Sequence, residues 1–201
     1  MKKICIIGNG DIAKALSESL SNKFEILLPN RFELDVTEAM SVETYFNHNR
    51  NIDVIVNLAG TLYSSTIIDS NVESWINDIN VNLIGTYLTS RMAIIKNSDV
   101  RIINISSTAA YNSYNDWSSY CASKAGVLKV SNALALDGYD VITLCPGAID
   151  TKLRLGLNID NPNVMTIEES LNPIIKAING DYDSGDIVFY RKDEHKIIRE
   201  I

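Results

Sequence analysis

Residues 3–20 read KICIIGNGDIAKALSESL. The first five, Lys3–Ile7, are a continuous apolar run of the kind that makes a buried strand. Gly8-Asn9-Gly10-Asp11-Ile12-Ala13 interrupts it. Ile12, Ala15, Leu16, Ser19 and Leu20 then recur at helical spacing, which predicts a helix over 11–24. Strand, Gly-x-Gly-x-x-Ala and helix in direct succession is the context a dinucleotide-binding turn requires. Gly8 permits the tight turn, Gly10 lets the backbone approach a pyrophosphate, and Ala13 lets helix and strand pack closely. The helix N-terminus attracts the phosphate charge. Gly8, Asn9, Gly10, Asp11 and Ile12 are therefore candidate cofactor-binding residues.

The same alternation runs through the chain. Further apolar strands are expected over 25–28, 53–56, 100–105, 140–144 and 186–190. Helices are expected over 38–47, with Thr37 as N-cap, and over 118–136. Two capping boxes, Ser70-Asn71-Val72-Glu73 and Thr166-Ile167-Glu168-Glu169, predict long helices over 72–96 and from 166 to 179. The charged tail, 191–201, has no clear assignment. There are no repeats or linkers. The expected fold is α/β: a Rossmann-type doubly wound parallel sheet in a three-layer α/β/α arrangement, one domain over residues 1–201. Its site belongs at the carboxyl ends of the strands, where Gly8, Gly60, Ser107 and Pro146 all fall.

Composition narrows the function classes. A formal charge of −7 argues against nucleic acid as the main partner. No apolar run approaches the roughly 18 residues of a membrane span, so no membrane partner is expected. Three scattered cysteines, Cys5, Cys121 and Cys145, suit reduced thiols in a cytoplasm. Only His48 and His195 offer imidazole, neither at zinc spacing, and no metal is expected.

The second predicted strand ends in Pro29-Asn30-Arg31, without the acid that would hold ribose hydroxyls. An arginine and a neutral amide suit a 2′-phosphate, which favours NADP(H) and leaves NAD(H) possible; a solvated surface role for Arg31 is the other reading. Asn30, Arg31 and, just beyond, Asp35 and Val36 complete that candidate set.

The stretch 101–124, RIINISSTAAYNSYNDWSSYCASK, carries the chemistry. Ser107 follows a strand. Tyr120 and Lys124 lie one helical turn apart on one face. A hydroxyl facing a phenol with an ammonium beside it suggests proton transfer to or from a carbonyl or alcohol. Asn82, polar between apolar neighbours, reads either as a satisfied core amide or as a residue lining a site. Tyr111, Tyr114 and Trp117 read equally as a stacking surface for a ring substrate and as loop packing.

These residues resemble the short-chain dehydrogenase/reductase family over nearly the whole chain. Asn57-Leu58-Ala59-Gly60 matches the family's Asn-Asn-Ala-Gly. Asn82, Ser107, Tyr120 and Lys124 match its asparagine, serine and Tyr-x-x-x-Lys, and Pro146, Gly147 and Thr151 its Pro-Gly and threonine. The glycine loop is two residues shorter than the family's, and 136–140 and 152–164 are economical, the latter where part of the substrate lid belongs. The resemblance implies Asn57, Ala59, Gly60, Tyr120, Lys124, Pro146, Gly147, Ile149 and Thr151 as cofactor contacts, and Asn82, Ser107, Tyr120 and Lys124 as catalytic residues. It implies hydride transfer between NADP(H) and a small carbonyl or alcohol substrate. Tyr120 is then general acid or base, its pKa lowered by Lys124. Ser107 orients the carbonyl, and Asn82 holds a water that connects Lys124 to solvent. It further implies a homodimer or homotetramer through the helices bearing Asn82 and Tyr120. A non-catalytic NADP-sensing regulator and a sugar-nucleotide epimerase are the alternatives. The first has no need of a proton relay, and the second needs a larger C-terminal substrate domain than the residues after Pro146 supply.

Overall fold

Alternating apolar strands and amphipathic helices leave each strand to be covered on both faces, and the chain does this with helices. The computed structural model describes residues 1–154, 157 and 161–199. Seven strands form one sheet: β1 (Lys3–Ile7), β2 (Glu25–Leu27), β3 (Val54–Asn57), β4 (Arg101–Ile105), β5 (Val141–Pro146), β6 (Ile187–Arg191) and β7 (Glu194–Ile198). Their order is β2-β1-β3-β4-β5-β6-β7. All neighbours are parallel except β6 and β7, which form an antiparallel hairpin. The order reverses between β1 and β3, which makes a crevice at their carboxyl ends.

Among the described residues six α-helices flank the sheet: α1 (Asp11–Leu20), α2 (Ala39–His48), α3 (Val72–Ile79), α4 (Gly85–Lys96), α5 (Ser118–Leu136) and α6 (Ile167–Asn179). Ile4 and Ile6 of β1 point into the core beneath α1 and α6, with Leu16 and Ile174. Cys5 and Ile7 point to the other face, with Val42, Phe46 and Met92 of α2 and α4. Burial on both faces explains why these strands read as continuous apolar runs.

Four details differ from the sequence reading. The helix expected over 72–96 carries a π-helical turn, Asn80–Ile84, between α3 and α4. Its cap is Asn71, whose side chain accepts from the Ser74 N–H at 2.8 Å. Ser70 donates instead to the Ile67 carbonyl, so the box read at Ser70 does not form. Glu38, not Thr37, sits at the N-cap of α2, and the Thr37 hydroxyl donates to Asp35 Oδ1 at 2.7 Å. The tail left unassigned supplies β7. The second capping box, Thr166 with Glu169, closes as read, with both reciprocal bonds present. Of the expected lid segment, residues 155, 156 and 158–160 lie outside the described residues, as do 200 and 201 of the tail.

Candidate active site

The carboxyl ends of β1, β3, β4 and β5 open into one cavity of about 500 Å³. Asn9, Gly10, Asp11, Ile12, Gly60, Ser107, Tyr120, Lys124, Pro146, Gly147, Ile149 and Thr151 all line it. Twelve sequence candidates from five separate segments thus meet in one place.

At the β1 end, Gly8 has φ +115°, and a Cβ there would fall 2.6 Å from the Ala59 nitrogen. Gly8 is therefore required by the fold, because the backbone of Leu58 and Ala59 passes against it. Gly10 is different. Its φ of −82° is open to any residue, and a Cβ would meet nothing within 4 Å. No intramolecular reason calls for glycine there, so the demand fits a ligand lying against the backbone. The start of α1 has no side-chain cap, which leaves its first N–H groups for a phosphate. Asp11 reaches across the cleft instead: its Oδ2 accepts the Lys152 backbone N–H at 2.8 Å. These residues fit a dinucleotide cofactor.

Asn30, Arg31, Asp35, Val36, Asn57, Ala59, Gly8 and Asn82 do not line the cavity. Arg31 is exposed and pairs with Asp35 at 3.1 Å. Asn30 is bonded by Glu33, whose Oε2 accepts from both its backbone N–H and its amide. An acid thus folds back onto the end of β2, where the sequence reading placed none. Hydrogen bonds from Thr37 and the Arg31 charge hold Asp35 below the usual carboxylate range. Val36 is packing: a Cβ on Gly85 would lie 2.8 Å from its Cγ2. Asn57 is core. It donates to Asn104 Oδ1 at 2.7 Å and to Ser90, and accepts from Thr89, in a buried polar layer that also holds Ser131. The register places Asn57 beside Asn104.

At the chemical end, Ser107 caps the short 3₁₀ turn Thr108–Ala110, and its hydroxyl donates to the Pro146 carbonyl at 3.5 Å. The Lys124 ammonium donates to the Ile105 carbonyl at 3.0 Å and lies 5.6 Å from the Tyr120 ring centroid. Tyr120 is buried, and burial pushes its phenol up to about 12, against a hydrogen bond with Ser107 that lowers it. Burial likewise pulls Lys124 down to about 8. The expected lowering of the phenol by Lys124 is not found: desolvation dominates, and the one group that lowers it is Ser107.

Asn82, fully buried in the π turn, is committed to the protein. Its Oδ1 accepts the Thr61 N–H at 2.8 Å, and its amide donates to the Thr61 carbonyl at 2.9 Å and to Ser123 Oγ at 3.0 Å. Through these bonds its side chain holds the Gly60–Thr61 segment in place. The sequence reading missed its partner. Asp78, buried to 1%, accepts from Thr61 Oγ1, the Tyr63 N–H and Ser119 Oγ at 2.7–2.9 Å. Asp78 and Asn82 thus bond Ser119 and Ser123, each the residue before Tyr120 and Lys124. Two polar residues four apart on an apolar helix, matched by two serines four apart on another, were the available signal.

Of the aromatic cluster, Tyr114 and Trp117 line the cavity, and Trp117 meets Tyr120 edge-on at 6.0 Å. Tyr111 packs against Phe189. The buried Trp117 indole N–H has no partner among the described residues.

Comparison with known proteins agrees with this geometry. The family model described as short chain dehydrogenase matches residues 4–161. An uncharacterized oxidoreductase of Staphylococcus aureus (strain USA300) is 28% identical over 175 residues, 84% of this chain and 74% of the relative. Among solved structures, a short chain dehydrogenase from Burkholderia cenocepacia in complex with NADP superposes with TM-score 0.80 at 22% identity, covering 91% of this chain and 88% of that one. A gluconate 5-dehydrogenase from the same organism, in complex with NADP and tartrate, gives 0.82 at 20%, covering 95% and 94%. The sheet, the crevice and the match over most of the chain define an α/β protein of the Rossmann type. The chain belongs to the short chain dehydrogenase family.

Proposed function

We propose that the protein is an NADP(H)-dependent reductase of small carbonyl compounds. The observation that carries this reading is the convergence of Ser107, Tyr120 and Lys124 with the glycine turn in one cavity. A bound nicotinamide dinucleotide supplies the hydride for the carbonyl carbon. The Tyr120 phenol gives its proton to the carbonyl oxygen, and Ser107, which lines the same cavity, orients the oxygen. A phenol raised to about 12 by burial is protonated throughout the physiological range, which suits the donating role. Lys124, near 8, is the stronger acid and stabilises the phenolate left behind. NADP(H) is favoured by the exposed Arg31, although Glu33 beside Asn30 pulls toward NAD(H). The sensor and epimerase readings gain no support from this site.

The exposed Val72, Ile76, Ile84, Tyr87 and Ile95 on α3, the π turn and α4 support self-association as a homodimer or homotetramer, testable by sedimentation. Among the described residues no helix is long and apolar enough to cross a membrane. Three free cysteines, two of them buried, support a reducing, cytoplasmic setting.

The deciding experiment is turnover of NADPH with a panel of aldehydes and ketones by wild type and Tyr120→Phe. We expect the variant to fold and to lose about 10²- to 10⁴-fold in kcat. Full turnover by the variant would sink the scheme.

A further inference from the structure

The cavity wall has a charge balance opposite to that of the chain. The protein carries 25 acidic and 18 basic residues. The cavity is lined by Lys14, Lys124, Lys152, Arg154 and Arg191, with Asp11 its only carboxylate among the described residues. Lys14 and Lys152 lie at the α1 end, where the glycine turn would place phosphates, and Lys124 stands beside Tyr120. Arg154 and Arg191 have no such employment, and neither pairs with a carboxylate among the described residues.

Arg191 is the better placed of the two. It ends β6, which is four strand positions from β1 and two from β4. At about 4.8 Å per strand, that puts β6 about 19 Å from the glycine turn and about 10 Å from the strand that delivers Ser107. The pyrophosphate site is thus out of its range and the reacting carbonyl is near. Its stem lies over Gly147, where a Cβ would fall 2.9 Å from the arginine Cγ. Gly147 follows Pro146, whose carbonyl accepts from Ser107. The guanidinium carbon lies 5.0 Å from the Phe189 ring centroid, and Phe189 packs with Leu128 of α5, the helix that carries Tyr120. Arg191 therefore faces the side of the sheet on which the proton donor stands.

We infer that Arg191 binds an anionic group on the substrate, so that the carbonyl compound reduced here carries a carboxylate or phosphate several bonds from its carbonyl carbon. The inference rests on the reductase reading above. A guanidinium matches the paired oxygens of such a group, and a cavity walled by one sign of charge concentrates the opposite sign. The apolar lining from Leu62, Tyr114 and Trp117 would cover the carbon chain between the two ends.

The test compares 6-oxohexanoate with hexanal, a carbonyl pair of equal length, as substrates with NADPH for wild type, Arg191→Met and Arg191→Lys. The expected result is a kcat/KM for the anion about 10- to 100-fold above that for hexanal in wild type. Arg191→Met should abolish that advantage through KM, with hexanal turnover unchanged, and Arg191→Lys should restore part of it. Equal kcat/KM for the two substrates in wild type, or an advantage that survives in Arg191→Met, overturns the inference. An independent arm reads thermal stabilisation of the NADP⁺-loaded protein by adipate, a dianion that cannot react. Stabilisation lost in Arg191→Met without turnover of any carbonyl would remove the reductase reading and keep the anion site. Hexanal turnover with no response to adipate would do the reverse.

Discussion

Asp78 carries a carboxylate into the interior with three neutral donors and, among the described residues, no cation bonded to it, and its charge reaches both chemical groups. It holds the proton on Tyr120 and on Lys124 more tightly than burial alone would. Asp78→Asn should therefore move the pH profile of kcat/KM toward lower pH, because both groups release their protons more easily once that charge is gone. It should also cost about 1–3 kcal/mol in urea unfolding, since an amide nitrogen would face donors that need an acceptor. A purely structural residue would show the second effect without the first. Lys124 has a signature of its own. Its folded pKa of about 8 lies below the usual 10.5, so between those values the unfolded chain binds the more protons. The unfolding free energy then rises with pH across that window, and falls back as pH drops toward 8. Lys124→Met should remove the rise: the unfolding free energy of the variant minus that of wild type should fall from pH 7.5 to 9.5, and a difference constant with pH would contradict the lowered value.

The π turn between α3 and α4 is the element on which the site depends. It places Asn82 against Thr61, one residue past Gly60, while Asp78 one turn earlier takes the Thr61 hydroxyl. Asn82→Ala would leave the half-buried N–H and C=O of Thr61 without these partners. A loss of about 2–4 kcal/mol and a drop of at least tenfold in kcat are expected, read by urea unfolding and steady-state turnover. Unchanged kcat would mean that the Gly60–Thr61 segment holds its place unaided. Such dependence also decides what the sequence disclosed. The strand and glycine turn of 3–13 were legible because one local pattern specifies both turn and packing. The Thr166–Glu169 box was legible because its partners lie three residues apart. The Ser70 box failed because Asn71, one residue on, takes the N-cap position and accepts the Ser74 N–H instead. The π turn was not legible, since nothing in Asn80–Ile84 departs from ordinary helical composition, and its partners are 21 and 41 residues away. Strand β7 was missed because Glu194, His195 and Lys196 are polar, and an edge strand exposed along most of its length has no apolar alternation to show.

Across the whole molecule, cofactor choice is a contest between charges at the far end of the sheet from Arg191. Arg31 is already paired with Asp35, and Glu33 already occupies Asn30, so a 2′-phosphate would have to draw Arg31 away and tolerate Glu33. A ligand that binds only the native state adds about 2.7 kcal/mol at 100 times its Kd, worth about 5–10 °C in Tm for a chain of this size. With NADP⁺ and NAD⁺ at equal concentration, wild type should respond more to NADP⁺. Arg31→Ala should erase that difference by weakening NADP⁺ alone, and Glu33→Gln should enlarge it by removing a repelling charge. Asp35 complicates the arginine variant, because Arg31→Ala frees its carboxylate to repel the same phosphate. Arg31→Lys, which keeps the charge and the pairing, should therefore retain most of the preference. If wild type responds more to NAD⁺, and Glu33→Gln weakens that response, Glu33 is the ribose-binding acid. The glycine turn would then keep its role while the end of β2 reverses its own.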